Sequence, residues 1–274
     1  SSAEAARFRD FHTAGVNRVS VGVQSLNDSA LTFLGRRHNA AEARRALCDA
    51  ARTFDRFSFD MIYGLPGQTV ESWRNELVEA LAMAAGHISV YQLAIEPGTV
   101  FFRDHVRAAD EDLSADLFTL TRELLCDAGL PPYEVSNHAG PGRESRHNLT
   151  YWRGGDYIGV GPGAHGRVTL NGVRNASVAR RLPGPWIAAA EAGSGDESLL
   201  PLTGEDVWAE YIMMGMRLSE GLDLERAREI GGTRFEKMPL EKFQDLGLIW
   251  CDATRFGATL QGRMVLNSLT SELL

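Results

Sequence analysis

The first 130 residues predict an α/β protein built on parallel strands, and three observations carry that reading. Short apolar runs rich in β-branched and aromatic residues alternate with segments of helical periodicity. Successive runs recur at roughly the 30–40-residue spacing of right-handed βαβ units. Capping and turn residues stand at the joins, where helices start and strands stop.

The elements follow in order. From Ala3 to Ala14, Phe8 and Phe11 fall on one helical face and Gly15 stands where a helix ends. Arg18 to Val23 alternates as a strand does. Asn27-Asp28 opens a short helix through Leu31 and Leu34, and Asn39 with Glu42 makes a capping box for a helix through Ala43, Leu47 and Ala50. A second strand runs from Phe57 to Tyr63 into Gly64-Leu65-Pro66-Gly67. Thr69 starts a helix with Trp73, Leu77 and Leu81 on one face. A third strand, Ile88 to Ile95, stops at Glu96-Pro97-Gly98, and a helix from Leu113 to Ala128 follows. Three parallel strands fit an open sheet or part of a closed barrel, and in both architectures chemistry gathers at the C-terminal strand ends. Those ends carry Gln24, Asp60 to Gly64, and Tyr91 to Ala94.

Beyond Gly129 the texture changes. Tyr133 to His165 is rich in Gly, Pro, His and aromatic residues, and Arg180–Pro185 and Ala192–Asp196 read as linkers. Helices return at Glu205–Leu218, Asp223–Ile230 and Leu240–Leu246. They are followed by Leu248-Ile249-Trp250 and a strand-like Ala258–Leu266, a pattern that predicts a small winged-helix-like domain.

Composition narrows the function. With 44% apolar and 23% charged residues the chain has the balance of a globular protein, and its net charge of −8 disfavours nucleic acid as a partner. No apolar stretch reaches the ~20 residues of a membrane-spanning helix. Cys48, Cys126 and Cys251 are widely spaced, which predicts a reducing compartment, the cytoplasm, and matches no iron–sulfur motif.

Several motifs compete. Gly161 to Gly166 matches G-x-G-x-x-G, yet a strand-like Arg167–Leu170 follows it where a dinucleotide site needs a helix. Asp60 and Glu96 would serve a glycosidase only at a fixed carboxylate separation, which the sequence does not set. The acidic C-terminal region reads as a packing or lid domain rather than a DNA reader. The densest polar–aromatic cluster is His147-Asn148-Leu149-Thr150-Tyr151-Trp152, flanked by His138 and His165. An imidazole there is either a ligand for a metal-bearing flat group or a structural histidine among packed rings.

Taken together, Gly22-Val23-Gln24-Ser25, Leu34 to His38 and Asp60 to Thr69 resemble the radical S-adenosylmethionine (SAM) enzymes of the oxygen-independent coproporphyrinogen III oxidase family. Tyr133 to Asn137, His147 to Trp152 and Gly159 to His165 resemble its heme-chaperone branch, the HemW type. The resemblance implies the C-terminal half of a partial (β/α)6 radical-SAM barrel over residues 1–130. It implies a Gly- and aromatic-rich segment over 131–185, and a small helical, winged-helix-like C-terminal domain over 200–274. It assigns SAM contacts to Gln24, Arg36, Asp60, Ile62 and Ala94, a heme contact to His147, and no catalytic residue. The implied ligands and partners are SAM, a 4Fe–4S cluster in the full-length protein, heme, and heme-acceptor proteins, with peripheral association with membrane proteins as a further partner class. The implied function is heme chaperoning. Two alternatives stand beside it: oxidative decarboxylation of coproporphyrinogen III by a SAM-derived radical, and a non-enzymatic tetrapyrrole-binding module. The family's Cys-x3-Cys-x2-Cys motif, a glycine pair and a SAM-binding acid are expected ahead of Ser1, which makes the chain a fragment in this reading. Ser145 and His138 stand where the family often has Cys and Phe.

Overall fold

The computed structural model describes residues 2–274, which form two compact units, 2–144 and Ser145–Leu274. In the first, α1 (Ser2–Thr13) leads into β1 (Arg18–Gln24), then α2 (Asp28–Phe33), α3 (Ala40–Thr53), β2 (Arg56–Tyr63), α4 (Val70–Leu81) and β3 (His87–Gln92). After α5 (Val100–Arg103) and α6 (Glu111–Asp127) comes β4 (Asn137–Ala139). The sheet order is β1-β2-β3-β4, with the first three strands parallel and β4 antiparallel to β3. The parallel α/β expectation therefore holds for three strands. The fourth closes the sheet as a short strand that the sequence, with only three residues to show, does not announce.

The local signals act as their chemistry requires. Asn39 accepts from Glu42 N at 2.9 Å while Glu42 Oε2 accepts from Asn39 N at 3.1 Å, so both groups of the capping box are satisfied. Thr69 and Ser72 do the same for α4. One face of the sheet is apolar: Val23, Phe57, Phe59, Met61, Ile88 and Val90 pack with Leu47, Trp73, Leu77 and Leu117 from the helices. Tyr63 and Trp73 stack with ring centroids 5.5 Å apart within this core.

In the second unit, α7 (Arg146–Trp152) precedes an antiparallel sheet of β5 (His165–Leu170), β6 (Val173–Ala179) and β7 (Asp196–Pro201). The span between the two expected linkers is α8 (Pro183–Glu191). Next come α9 (Gly204–Gly215), β8 (Leu222–Asp223), α10 (Leu224–Gly231), α11 (Thr233–Glu236) and α12 (Leu240–Asp245). β9 (Ile249–Cys251), β10 (Arg255–Ala258), α13 (Leu260–Met264) and α14 (Leu266–Leu273) complete the chain. The helices and the β8-β10-β9 sheet enclose Trp208, Ile212, Phe243, Phe256 and Leu269.

One expectation is corrected here. Ala258–Leu266 is not a strand: β10 ends at Ala258, Thr259 caps α13, and α14 begins at Leu266. The hairpin instead joins β9 to β10 through Asp252, which accepts from Thr254 N at 2.7 Å and Arg255 N at 2.8 Å. Gly262 is the reason α13 fits, because a Cβ there would lie 1.9 Å from the carbonyl oxygen of Leu248.

Candidate functional site

The face of the first sheet opposite the apolar core is polar. Parallel register places Ser20 beside Ser58, Gly22 beside Asp60 and Asp60 beside Ser89, while antiparallel pairing sets Ser89 opposite Asn137. Side chains two apart on a strand share a face, so Arg18, Ser20, Ser58, Asp60, Ile62, Ser89, Tyr91 and Asn137 line one surface.

Hydrogen bonds run along it. Arg18 Nη2 donates to Ser58 Oγ at 3.0 Å, Ser58 donates to Ser20 Oγ at 2.9 Å, and Ser20 donates to Asp60 Oδ1 at 3.3 Å. Ser89 donates to Asn137 Oδ1 at 2.8 Å, and Asn137 Nδ2 donates to Glu134 Oε1. Half-burial raises the Asp60 carboxyl above the usual range. The neighbouring Ser89 and Ser20 hydroxyls and the charges of Arg18 and Arg36 oppose that rise. Glu134 is likewise pushed up by burial.

Gln24 ends β1 at a register shift, with φ +72°. Its amide lies over Gly22, where a Cβ would sit 3.0 Å from Nε2, so the glycine leaves the space the glutamine fills. The turn behind it is anchored by Glu76 of α4, which accepts from Ser25 Oγ at 2.5 Å and Leu26 N at 2.7 Å. The Gly64–Thr69 motif has an equally local cause: Gln68 Oε1 accepts from Gly64 N at 2.7 Å, bracing the loop at the end of β2.

The structure thus brings Gln24, Asp60 and Ile62 to one end of one polar face. Arg36 is exposed after α2 and within electrostatic reach of Asp60. Ala94 is exposed in the segment that follows β3. His147 belongs to the other unit, exposed on α7, its ring edge-on to Tyr151 at 5.6 Å, with Tyr151 tilted against Trp152 at 4.9 Å. Trp152 Nε1 is buried without a hydrogen-bond partner among the described residues. His165 is exposed at the start of β5. His138 is buried on β4 in the first unit, beside Ile88 in register rather than on the polar face, and both its ring nitrogens lack hydrogen-bond partners among the described residues.

Sequence reasoning overlooked Arg18, Ser20, Ser58, Ser89 and the Glu134–Asn137 pair as parts of one surface. The signal was present. A parallel sheet covered on both faces reads as continuous apolar runs, whereas Arg-x-Ser-x-Gly, Arg-x-Ser-x-Asp and His-x-Ser-x-Tyr alternate strictly.

The donor set fits SAM. An exposed guanidinium suits a carboxylate, Asp60 with acceptor capacity left suits hydroxyl or ammonium donors, and the half-buried Ile62 offers apolar contact. It does not fit an iron–sulfur cluster: Cys48 and Cys126 are exposed on separate helices. Among the described residues no group of three or more Cys, His, Asp or Glu could hold a metal.

Comparison with known proteins identifies the family and the fold. The Radical SAM superfamily matches residues 3–80, and the HemN C-terminal domain matches residues 202–265. The fold is that of the solved structure entitled "Coproporphyrinogen III oxidase (HemN) from Escherichia coli is a Radical SAM enzyme". The TM-score is 0.73 at 18% identity, over 98% of this chain and 66% of that one. Fold and matches together define a radical SAM protein. The chain belongs to the HemN-like radical SAM family, in which Heme chaperone HemW of Bacillus subtilis is 32% identical to it across 93% of this chain and 69% of that protein. Heme chaperone HemW of Escherichia coli is 46% identical over 61% of this chain and 44% of its own length. Radical S-adenosyl methionine domain-containing protein 1, mitochondrial, of Bos taurus is 36% identical over 100% of this chain. The chain spans 66% of the length of that bovine relative.

Proposed function

We propose that this protein is a heme chaperone: it holds heme at the His147–Trp152 helix, binds SAM at the polar sheet face, and delivers heme to acceptor proteins. The observation that carries the reading is α7 itself. One short helix presents an exposed imidazole beside Tyr151, whose ring in turn packs on Trp152, and neutral imidazole is a ligand for heme iron. The identity to HemW chaperones supports it.

At the sheet, Arg36 pairs the SAM carboxylate, Asp60 accepts from ligand hydroxyls or the ammonium group, Gln24 supplies an amide, and Ile62 and Ala94 supply apolar contact. When bound together with a 4Fe–4S cluster in the full-length protein, SAM would supply radical chemistry. The residues of this chain bind and orient. None of them is assigned to the chemistry.

A second reading, oxygen-independent dehydrogenation of coproporphyrinogen III, is favoured by the HemN C-terminal domain match. Heme titration followed by mixing with an apo-hemoprotein separates the two. The chaperone reading predicts a Soret band on binding and its transfer to the acceptor, with no decarboxylated product from coproporphyrinogen. Product formation without heme binding favours the second reading, and heme binding with neither transfer nor product leaves a tetrapyrrole-binding module. We place the protein in the cytoplasm on its cysteine usage. No described helix is long and apolar enough to cross a membrane, and the bovine relative is named mitochondrial, so cell fractionation decides the compartment.

A further inference from the structure

We infer that Glu134 is a positioning residue for Asp60: acting through Asn137 and Ser89, it fixes the direction in which the Ser89 hydroxyl donates and keeps one side of the Asp60 carboxylate open to a ligand that brings its own donors. The inference rests on Asp60 being a ligand-binding carboxylate, the reading given above.

Two hydrogen-bonded lines converge on Asp60, and they are polarised differently. On one side the protons point toward it, from Arg18 to Ser58 to Ser20 to Asp60 Oδ1. Arg18 can only donate, and each hydroxyl has a single proton, so the first donor sets the direction of the line. On the other side the protons point away, from Ser89 to Asn137 Oδ1 at 2.8 Å and from Asn137 Nδ2 to Glu134 Oε1. A carboxyl oxygen that faces an amide N–H accepts from it, as Glu134 Oε1 does from Asn137 Nδ2. Glu134 therefore holds the amide with Nδ2 toward itself and Oδ1 toward Ser89, and that orientation captures the one proton Ser89 has. Glu134 Oε1 also accepts from Ser136 N at 3.2 Å, which holds the carboxylate in place.

Ser89 lies directly beside Asp60 in the parallel register, with both side chains on the same face of the sheet. By drawing the Ser89 proton away, Glu134 denies Asp60 a donor it would otherwise take. Ser89, Asn137 and Glu134 are 3%, 6% and 2% exposed, so water does not replace any member of the line. The charged and titratable groups facing Asp60 are Arg18 from β1, Arg36 from the segment after α2 and Tyr91 from β3, with Glu134 beyond Tyr91. A half-buried carboxylate left short of donors is stabilised by a ligand that supplies them. The chemical class selected is one with vicinal hydroxyls or an ammonium group.

The test is the Asp60 titration in the 274-residue chain, read from the 13Cγ shift of labelled aspartate and assigned with Asp60→Asn. In Glu134→Gln the residue at 134 can itself donate, the Asn137 amide is released, and Ser89 turns to Asp60. The Asp60 pKa is expected to fall by about one unit. With Ser89→Ala as the background, Glu134→Gln is expected to leave Asp60 unmoved. Asn137→Ala, which cuts the line at its middle, is expected to give the same fall as Glu134→Gln and serves if that variant does not fold. An unchanged titration in a folded variant, or an equal fall with and without Ser89, overturns the inference. Asp60→Ala binding SAM normally would overturn the functional reading alone, since the titration needs no ligand.

Discussion

Trp73 on α4 donates its indole N–H to Thr121 Oγ1 on α6 at 2.8 Å, and both side chains are buried. Thr121 in turn donates to Leu117 O at 2.6 Å, so one hydroxyl ties two helices together over the apolar face of the sheet.

Replacing Thr121 by Val keeps the shape and strands the Trp73 N–H away from water. Leaving a buried donor unsatisfied costs about 1–3 kcal/mol. Urea unfolding is expected to show that loss with an unchanged m-value. Equal stability would mean the indole finds another partner.

His87 and His138 predict acid sensitivity. Burial, aided by nearby arginine charge, depresses both from 6.5 to about 3, so each is neutral in the folded protein at neutral pH. The folded value lies below the unfolded one, so their stability is present above pH 6.5 and is lost as pH falls from there toward 3. Each contributes a slope of up to about 1.4 kcal/mol per pH unit in that window. His138→Phe removes two buried ring nitrogens that have no hydrogen-bond partner among the described residues. Chemical unfolding at pH 7.5 and 5.0 is expected to show a more stable variant that loses less on acidification. A variant with the parent's slope would contradict the assignment.

Gly262→Ala is expected to destabilise the C-terminal helices by about 3 kcal/mol or more, because the new Cβ meets the Leu248 carbonyl and the backbone must move. Gly184→Ala in α8, where nothing lies within 4 Å of an added Cβ, is the control and is expected to change stability by less than about 1 kcal/mol. Thermal unfolding of both variants checks the contrast.

What could be read in the sequence was local. Capping at Asn39 and Thr69, the core positions Leu47, Trp73 and Leu77, and the strand ends bearing Gln24 and Asp60 all follow from short-range rules, and the structure has them so. What escaped was pairing at a distance. β4 has only three residues and exists because His87–Ser89 offers it an edge. The helix at Leu260–Met264 alternates like a strand in sequence, and its approach to Leu248 is a tertiary fact. The polar sheet face was legible strand by strand. Only register shows that Ser20, Ser58, Asp60, Ser89 and Asn137 adjoin.

The central claim, that the sheet face holds SAM and α7 holds heme, is tested most directly by cross-titrating two variants in the full-length protein. Asp60→Ala is expected to weaken SAM binding by one to two decades, the loss of a charge-assisted hydrogen bond of about 1.5–3 kcal/mol, while heme binding stays near the parent value. His147→Ala is expected to do the reverse, with a weakened and shifted Soret band and unchanged SAM calorimetry. If His147→Ala binds heme with parental affinity and an unaltered Soret band, α7 is not the heme site and its histidine is one more ring in an aromatic cluster.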